Sequence, residues 1–267
     1  MEAENTTAQA KSVNPDEIAH FSSMAETWWD PNGPFRPLHQ LNPTRIAFVK
    51  EQLCAHFGRD PRIEKPLEGL RILDIGCGGG LLCEPIARLG ATIVGADAAE
   101  KNIKTARVHA DQMGLEIDYR YITAEELAEQ GETFDVILNM EVIEHVADIS
   151  SFLGACHLLL RQGGCMTLST LNRTVKSWAM AIAGAEYILR WLPVGTHNWQ
   201  KFLKPSELCT HAQQSGFNIT TIKGMVYNPL KSQWSLDGCK IEQWISPPQI
   251  SPCASGLRTK IIWKNAL

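Results

Sequence analysis

The sequence predicts an α/β fold, a mostly parallel sheet with helices on both faces, and three observations predict it. From Leu70 onward, short β-favouring apolar runs alternate with helical stretches of about 10 to 15 residues. Glycines at 90 and 114 stand where two of those helical stretches should stop. Between the first strand and its helix, Arg71-Ile72-Leu73-Asp74-Ile75-Gly76-Cys77-Gly78-Gly79-Gly80 runs from apolar residues through an acid into four glycines within five positions, the pattern of a strand, a tight turn and a helix.

Taken in order, residues 1–13 read as a disordered tail and 14–69 as an N-terminal helical lid. Ile18, Phe21, Ala25 and Trp28 recur at helical spacing behind Asn14-Pro15-Asp16. The turn-rich Trp28–Pro34 breaks that helix, and Asn42-Pro43-Thr44-Arg45 leads into a second one carrying Ile46, Val49 and Leu53. The core, 70–234, starts with strand 71–75, helix 80–89, strand 92–97, helix 99–113 and a strand near 117–122. Thr123 and Glu126 have the spacing of a capping box. Strand 134–138, helix 149–160 and strand 165–169 follow. An inserted helical segment, 170–205, interrupts the alternation after the fifth strand, a length that is usually functional in a compact domain. Helix 205–215 and strand 217–223 restore it, and 235–267 reads as a divergent, irregular C-terminal tail.

Composition narrows the function classes. The net charge of −4 over 267 residues gives no electrostatic reason to expect nucleic acid. The first dozen residues hold acids and no arginine, unlike a signal or transit peptide, so a cytoplasmic location is expected. Eight cysteines without a Cys-x-x-Cys pair argue against a zinc site or a disulfide framework.

An open α/β sheet binds ligands at the carboxyl ends of its strands, where Asp74, Gly76, Gly78 and Asp97 would lie. A dinucleotide turn wants Gly-x-Gly-x-x-Gly, and Leu81 stands where its third glycine belongs. Asp97, at the end of the second strand, suits a ribose with free hydroxyls. Asp74 makes a pyrophosphate unwelcome at the helix N-terminus and suits a cationic cofactor without phosphates, for which S-adenosylmethionine is the candidate.

The glycine turn and Asp97 resemble the first two motifs of the Rossmann-like class I S-adenosylmethionine-dependent methyltransferases. Trp28-Trp29-Asp30, Pro37-Leu38-His39, Leu41-Asn42-Pro43-Thr44-Arg45, Met140-Glu141-Val142-Ile143-Glu144-His145-Val146, Ser169-Thr170-Leu171-Asn172-Arg173, Gly184–Arg190 and Gly195-Thr196-His197 are more specific. Over about residues 14–234 the chain resembles the ubiquinone-biosynthesis O-methyltransferases. That resemblance implies Arg45 near the methionine carboxylate of the cofactor, Gly76 in the turn, Asp97 on the ribose and Met140 lining the pocket. Thr123, Ala124 and Glu125 follow the third strand, where backbone N–H groups could reach the adenine.

Glu141, Glu144 and His145, at i, i+3 and i+4, would share one side of a helical turn at the end of a strand that faces the site. Two carboxylates and an imidazole there could hold a divalent cation, and resemblance to the eukaryotic members of the family implies Mg²⁺ through these residues. His145 could instead be the general base that removes a phenol proton. A solvated helix start is the plain alternative.

The reaction implied is methylation of phenolic hydroxyls of polyprenyl dihydroxyphenyl intermediates at both O-methylation steps of ubiquinone synthesis, by a chain with a place in a ubiquinone-biosynthesis complex. Segment 173–192, with Trp178, Tyr187 and Trp191 beside Arg173, Lys176 and Arg190, suits either peripheral contact with the inner face of the membrane or a soluble substrate lid. After Trp234 the sequence departs from the family, so a methyltransferase for another phenol or acid, or a scaffold subunit that keeps the cofactor fold, stands as the alternative.

Overall fold

Arg71–Ile75 forms β1, and the sheet grows outward from it in both directions. The computed structural model describes residues 12–171, 202–228, 233–237 and 258–265. Its strands are β1, β2 (Thr92–Asp97), β3 (Asp118–Tyr121), β4 (Phe134–Met140), β5 (Leu160–Leu171), β6 (Asn218–Asn228), β7 (Gln233–Asp237) and β8 (Arg258–Asn265). They make one eight-stranded sheet in the order β3-β2-β1-β4-β5-β8-β6-β7, and only the β6–β7 pair is antiparallel. The chain leaves β1 for β2 on one side and returns for β4 on the other. A crevice therefore opens at the carboxyl end of β1, the place where such sheets take ligands.

Period-two alternation sends successive strand residues to opposite faces. Leu73, Val94, Ile137 and Leu168 meet one set of helices, α5 (Ala124–Glu129), α6 (Ile149–Leu159) and α7 (Pro205–Gln214), through Leu127, Phe152, Leu153 and Leu208. Ile72, Ile93, Val136 and Leu138 meet the other set, α2 (Arg36–Phe57), α3 (Cys83–Arg88) and α4 (Glu100–Gln112), through Phe48, Leu53, Ile86 and Ile103. Burial on both faces is why these strands are nearly all apolar.

Several boundaries differ from expectation for physical reasons. Helix α2 starts at Arg36 rather than near Asn42, with Pro37 in its first turn, and it carries Pro43 inside at the loss of one backbone bond. Gly58, left-handed at φ 64°, ends it. Helix α3 is shorter than the expected 80–89 because Gly78 and Gly80 have positive φ and cannot be helical. The capping box is present: Glu126 N donates to Thr123 Oγ1 at 3.2 Å, and Thr123 N donates to the Glu126 carboxylate at 2.8 Å.

The expected fading of the pattern after Trp234 is not what the sheet shows. Strand β7 pairs with β6, and β8 lies parallel between β5 and β6. The expected inserted helical segment, including 173–192, lies outside the described residues. Among the described residues no helix is long and apolar enough to cross a membrane.

Over the crevice lies the N-terminal segment. Asn14 caps helix α1 (Pro15–Ser23), its side chain accepting from Asp16 N at 3.1 Å. Met24, Trp28, Phe35 and Leu81 form a separate small core, in which the Trp28 ring stacks on Phe35 at 3.6 Å. Ser12, expected in the tail, is 3% exposed, and its carbonyl accepts from Ala147 N at 2.8 Å.

Candidate active site

A cavity of about 550 Å³ opens between the carboxyl ends of β1, β2 and β4 and the N-terminal segment. The glycine turn forms its floor. Gly76 N and Cys77 N donate to Ala96 O at 2.7 and 3.1 Å, which ties the turn to β2. Gly76 and Gly78 have φ of 67° and 54°, and a Cβ on Gly78 would run into the Trp28 indole. Here glycine is required both for backbone angle and for space.

Asp97 ends β2 beside that turn. One carboxylate oxygen accepts from Gly78 N at 2.9 Å, and the other accepts from Ala99 N at 2.7 Å and Asn102 Nδ2 at 3.2 Å. Burial raises its pKa and the three donors oppose the rise. The carboxylate is therefore held in one orientation on the cavity wall, with acceptor capacity left for a diol.

Asp74 and Arg45 form the other end. Asp74 is 3% exposed, and burial raises its pKa to about 6 against the Cys83 thiol, which donates at 3.1 Å, and the Arg45 charge. Arg45, on α2, is 4% exposed; burial lowers its pKa, while Glu141 and Asp74 oppose that. Its Nη2 donates to Asn42 Oδ1 at 2.8 Å, and its Nε is buried with no hydrogen-bond partner. A buried orphan donor on a guanidinium that lines the cavity fits the carboxylate of an amino acid.

Thr123, Ala124 and Glu125 line the cavity beyond β3. The Ser12 hydroxyl donates to Glu125 Oε1, while Glu125 Oε2 is buried without a partner. That orphan acceptor fits an exocyclic amine of the kind adenine carries. Met140, 6% exposed, supplies apolar wall at the end of β4.

Glu141, Glu144 and His145 all line the cavity, but not from a helical turn. Glu141 has φ 63°, and its N–H donates to Ser169 O at 3.0 Å. Its carboxylate accepts from Ser169 Oγ at 2.5 Å. Glu144 is 4% exposed and accepts from Thr170 Oγ1 at 2.8 Å; burial raises its pKa. The His145 ring bonds through Nδ1 to Glu17 of α1 at 3.0 Å. The three side chains thus turn to different partners, and among the described residues no three His, Cys, Asp or Glu side chains group as a metal ion would need. A metal set at Glu141, Glu144 and His145 is therefore not shown.

Sequence reasoning missed four residues at this site. Asn42, inside α2, donates to Leu81 O at 2.7 Å and accepts from Arg45. Asn102 braces Asp97, Trp28 braces Asn102, and Glu17 braces His145. The motifs around Trp28 and Asn42 flagged their neighbourhood without their partners, while Glu17 and Asn102 sit among ordinary helix polar residues.

Comparison with known proteins gives concordant results. Residues 45–222 match the model of a family described as a methyltransferase domain. The chain is 59% identical over 230 residues to a ubiquinone biosynthesis O-methyltransferase of Dinoroseobacter shibae, covering 86% of this chain and 93% of that one. It is 60% identical over 229 residues to the protein of that name in Parvibaculum lavamentivorans, covering 86% and 90%. Among solved structures, magnesium protoporphyrin IX methyltransferase of Synechocystis with bound SAH aligns with a TM-score of 0.52 at 23% identity, over 72% of this chain and 78% of that one. The last likeness is one of fold.

Proposed function

The chain belongs to the ubiquinone biosynthesis O-methyltransferases, and from that membership we propose that it methylates phenolic hydroxyls of polyprenyl dihydroxyphenyl intermediates at both O-methylation steps of the pathway. The observation that carries the reading is the paired polarity of one buried cavity, a guanidinium with an orphan donor beside a buried acid at one end and a braced ribose-type acid at the other.

Arg45 would hold the methionine carboxylate, Asp74 its cationic end, Asp97 the ribose diol, and Thr123 to Glu125 the adenine, over the Gly76–Gly78 floor and against Met140. When bound, S-adenosylmethionine supplies an electrophilic methyl on a sulfonium. The chain's own contribution is to hold the acceptor oxygen in line, exclude water beneath the N-terminal segment and take the phenol proton. His145 is the base assigned to that proton, because its ring lines the cavity with Nδ1 held by Glu17, whereas the buried Glu144 carboxylate already accepts from the Thr170 hydroxyl. Apolar lid residues such as Ile18, Phe21 and Leu38 line the same cavity and suit an acceptor with a hydrocarbon tail.

Two finer parts rest on composition and relatives alone: contact of segment 173–192 with the inner face of a membrane, and a place in a ubiquinone-biosynthesis complex. Flotation with anionic liposomes checks the first, and loss of binding in Trp178→Ala plus Trp191→Ala is the expected result. The function itself is tested by incubating purified protein with S-adenosylmethionine and a short-chain demethylubiquinol. Equal yields of S-adenosylhomocysteine and methylated quinol are expected, whereas cofactor binding without turnover would favour the scaffold reading.

A further inference from the structure

We propose that Glu17, on the lid helix α1, is the positioning residue for His145, so that docking of the lid and preparation of the base are one event. The inference rests on the reading of His145 as general base. The Glu17 carboxylate meets His145 Nδ1 at 3.0 Å across 128 positions of sequence. A carboxylate only accepts, so neutral His145 carries its proton on Nδ1, and the lone pair that can take a phenol proton is on Nε2. An acid that fixes an imidazole's tautomer and direction in this way is the arrangement by which hydrolase triads make histidine a base.

The same helix fixes the plane of the ring. Phe21, one turn along α1 from Glu17, meets the His145 ring edge-on, with centroids 5.1 Å apart and planes at 88°. Residues at i and i+4 share a helix face, so one face of α1 supplies both contacts. Phe21 also packs on the cluster around Met24 and Trp28, which covers the glycine turn. On the other side, Ala147 N donates to Ser12 O at 2.8 Å, so the N-terminal segment grips the 141–147 turn both before and along α1. Among the described residues, the charged groups facing the imidazole include Glu17 from α1 and Glu144 from its own turn.

If the lid is undocked, the imidazole loses its acceptor at Nδ1 and its aromatic neighbour, the two contacts from α1 that set its tautomer and plane. A reactive sulfonium would then face no prepared base, which ties methyl transfer to the closed, water-excluding state.

The test is steady-state kinetics of the full chain with saturating S-adenosylmethionine, on Glu17→Ala, Glu17→Asp, His145→Ala and Glu17→Ala/His145→Ala, with cofactor affinity measured by calorimetry. Glu17 is about one-fifth exposed on a surface helix, so these chains should fold. Glu17→Ala should lower kcat about 10- to 100-fold, leave cofactor affinity within about twofold, and regain part of the loss as Glu17→Asp. In the His145→Ala background it should add nothing, since it acts through that ring. Multiplicative losses in the double variant, or an unchanged kcat in Glu17→Ala beside a crippled His145→Ala, overturn the proposal while leaving the base intact. Full activity in His145→Ala removes the base reading itself.

Discussion

The indole N–H of Trp28 donates to the side-chain oxygen of Asn102 at 3.0 Å, and the Asn102 amide in turn donates to Asp97 at 3.2 Å. A lid residue thereby braces, through Asn102, the acid assigned to the cofactor ribose. Trp28→Phe keeps stacking on Phe35 and loses the hydrogen bond. A net hydrogen bond of about 1 kcal/mol predicts cofactor binding roughly fivefold weaker, measured by calorimetry. Unchanged affinity would show that Asp97 is held by its backbone donors alone.

Two glycines with positive φ separate strain from crowding. Gly58 has open space around its would-be Cβ, whereas the one on Gly78 would strike the Trp28 ring. Gly58→Ala should therefore cost only about 1 kcal/mol in urea unfolding. Gly78→Ala should cost more and, unlike Gly58→Ala, abolish measurable cofactor binding by displacing the lid tryptophan.

Asp74 gives a pH dependence with a defined sign. Its pKa is raised by burial to about 6, while in the unfolded chain it titrates near the ordinary value of about 3.9. Between those values the folded chain keeps a proton that the unfolded chain has released, so stability falls as pH rises through the window and is level above it. The fall attributable to this residue is on the order of 3 kcal/mol. Urea unfolding of ligand-free protein from pH 4 to 7 should show a steeper decline than Asp74→Asn, and parallel curves would count against it. Saturating S-adenosylmethionine, a cation in the same cavity, should shrink the difference.

Arg45 is assigned to a carboxylate, so its replacement should discriminate between ligands. Arg45→Lys keeps the buried charge beside Asp74 and Glu141 but loses the planar fork. Affinity for S-adenosylmethionine should drop about tenfold, on the order of one charge-assisted hydrogen bond. Affinity for methylthioadenosine, which lacks the amino-acid end, should barely change. An equal loss for both would place Arg45 elsewhere than at the carboxylate.

How much of this was legible in the sequence depended on range. Strands β1 and β2 stand at 71–75 and 92–97 as their apolar runs and flanking glycines predicted, because local patterning decides them. Glu141, Glu144 and His145 have the spacing of a helical turn, whereas a positive φ at Glu141 and bonds to Ser169 and Thr170 of β5 shape this segment. Helix α2 begins early because Pro37, not the prominent Pro43, is in its first turn. Strand β8 lies in the stretch whose sequence predicts an irregular tail, although Lys260-Ile261-Ile262-Trp263 is a short β-favouring run. At the site, single residues at strand ends could be read from motif and chemistry. Their braces, Asn42, Asn102 and Glu17, lie 39, 5 and 128 positions from a partner, and the remote pairs exist only once the fold brings lid and sheet together.

The central claim is that this cavity passes a methyl from sulfur to a phenolic oxygen. It is met most directly by supplying S-adenosylmethionine carrying a carbon-13 methyl, with a short-chain demethylubiquinol, and reading the product by carbon NMR. All the transferred label in a ring methoxy group, matched by S-adenosylhomocysteine, is the predicted result. Label on a ring carbon, or cofactor bound with no label transferred, would contradict it.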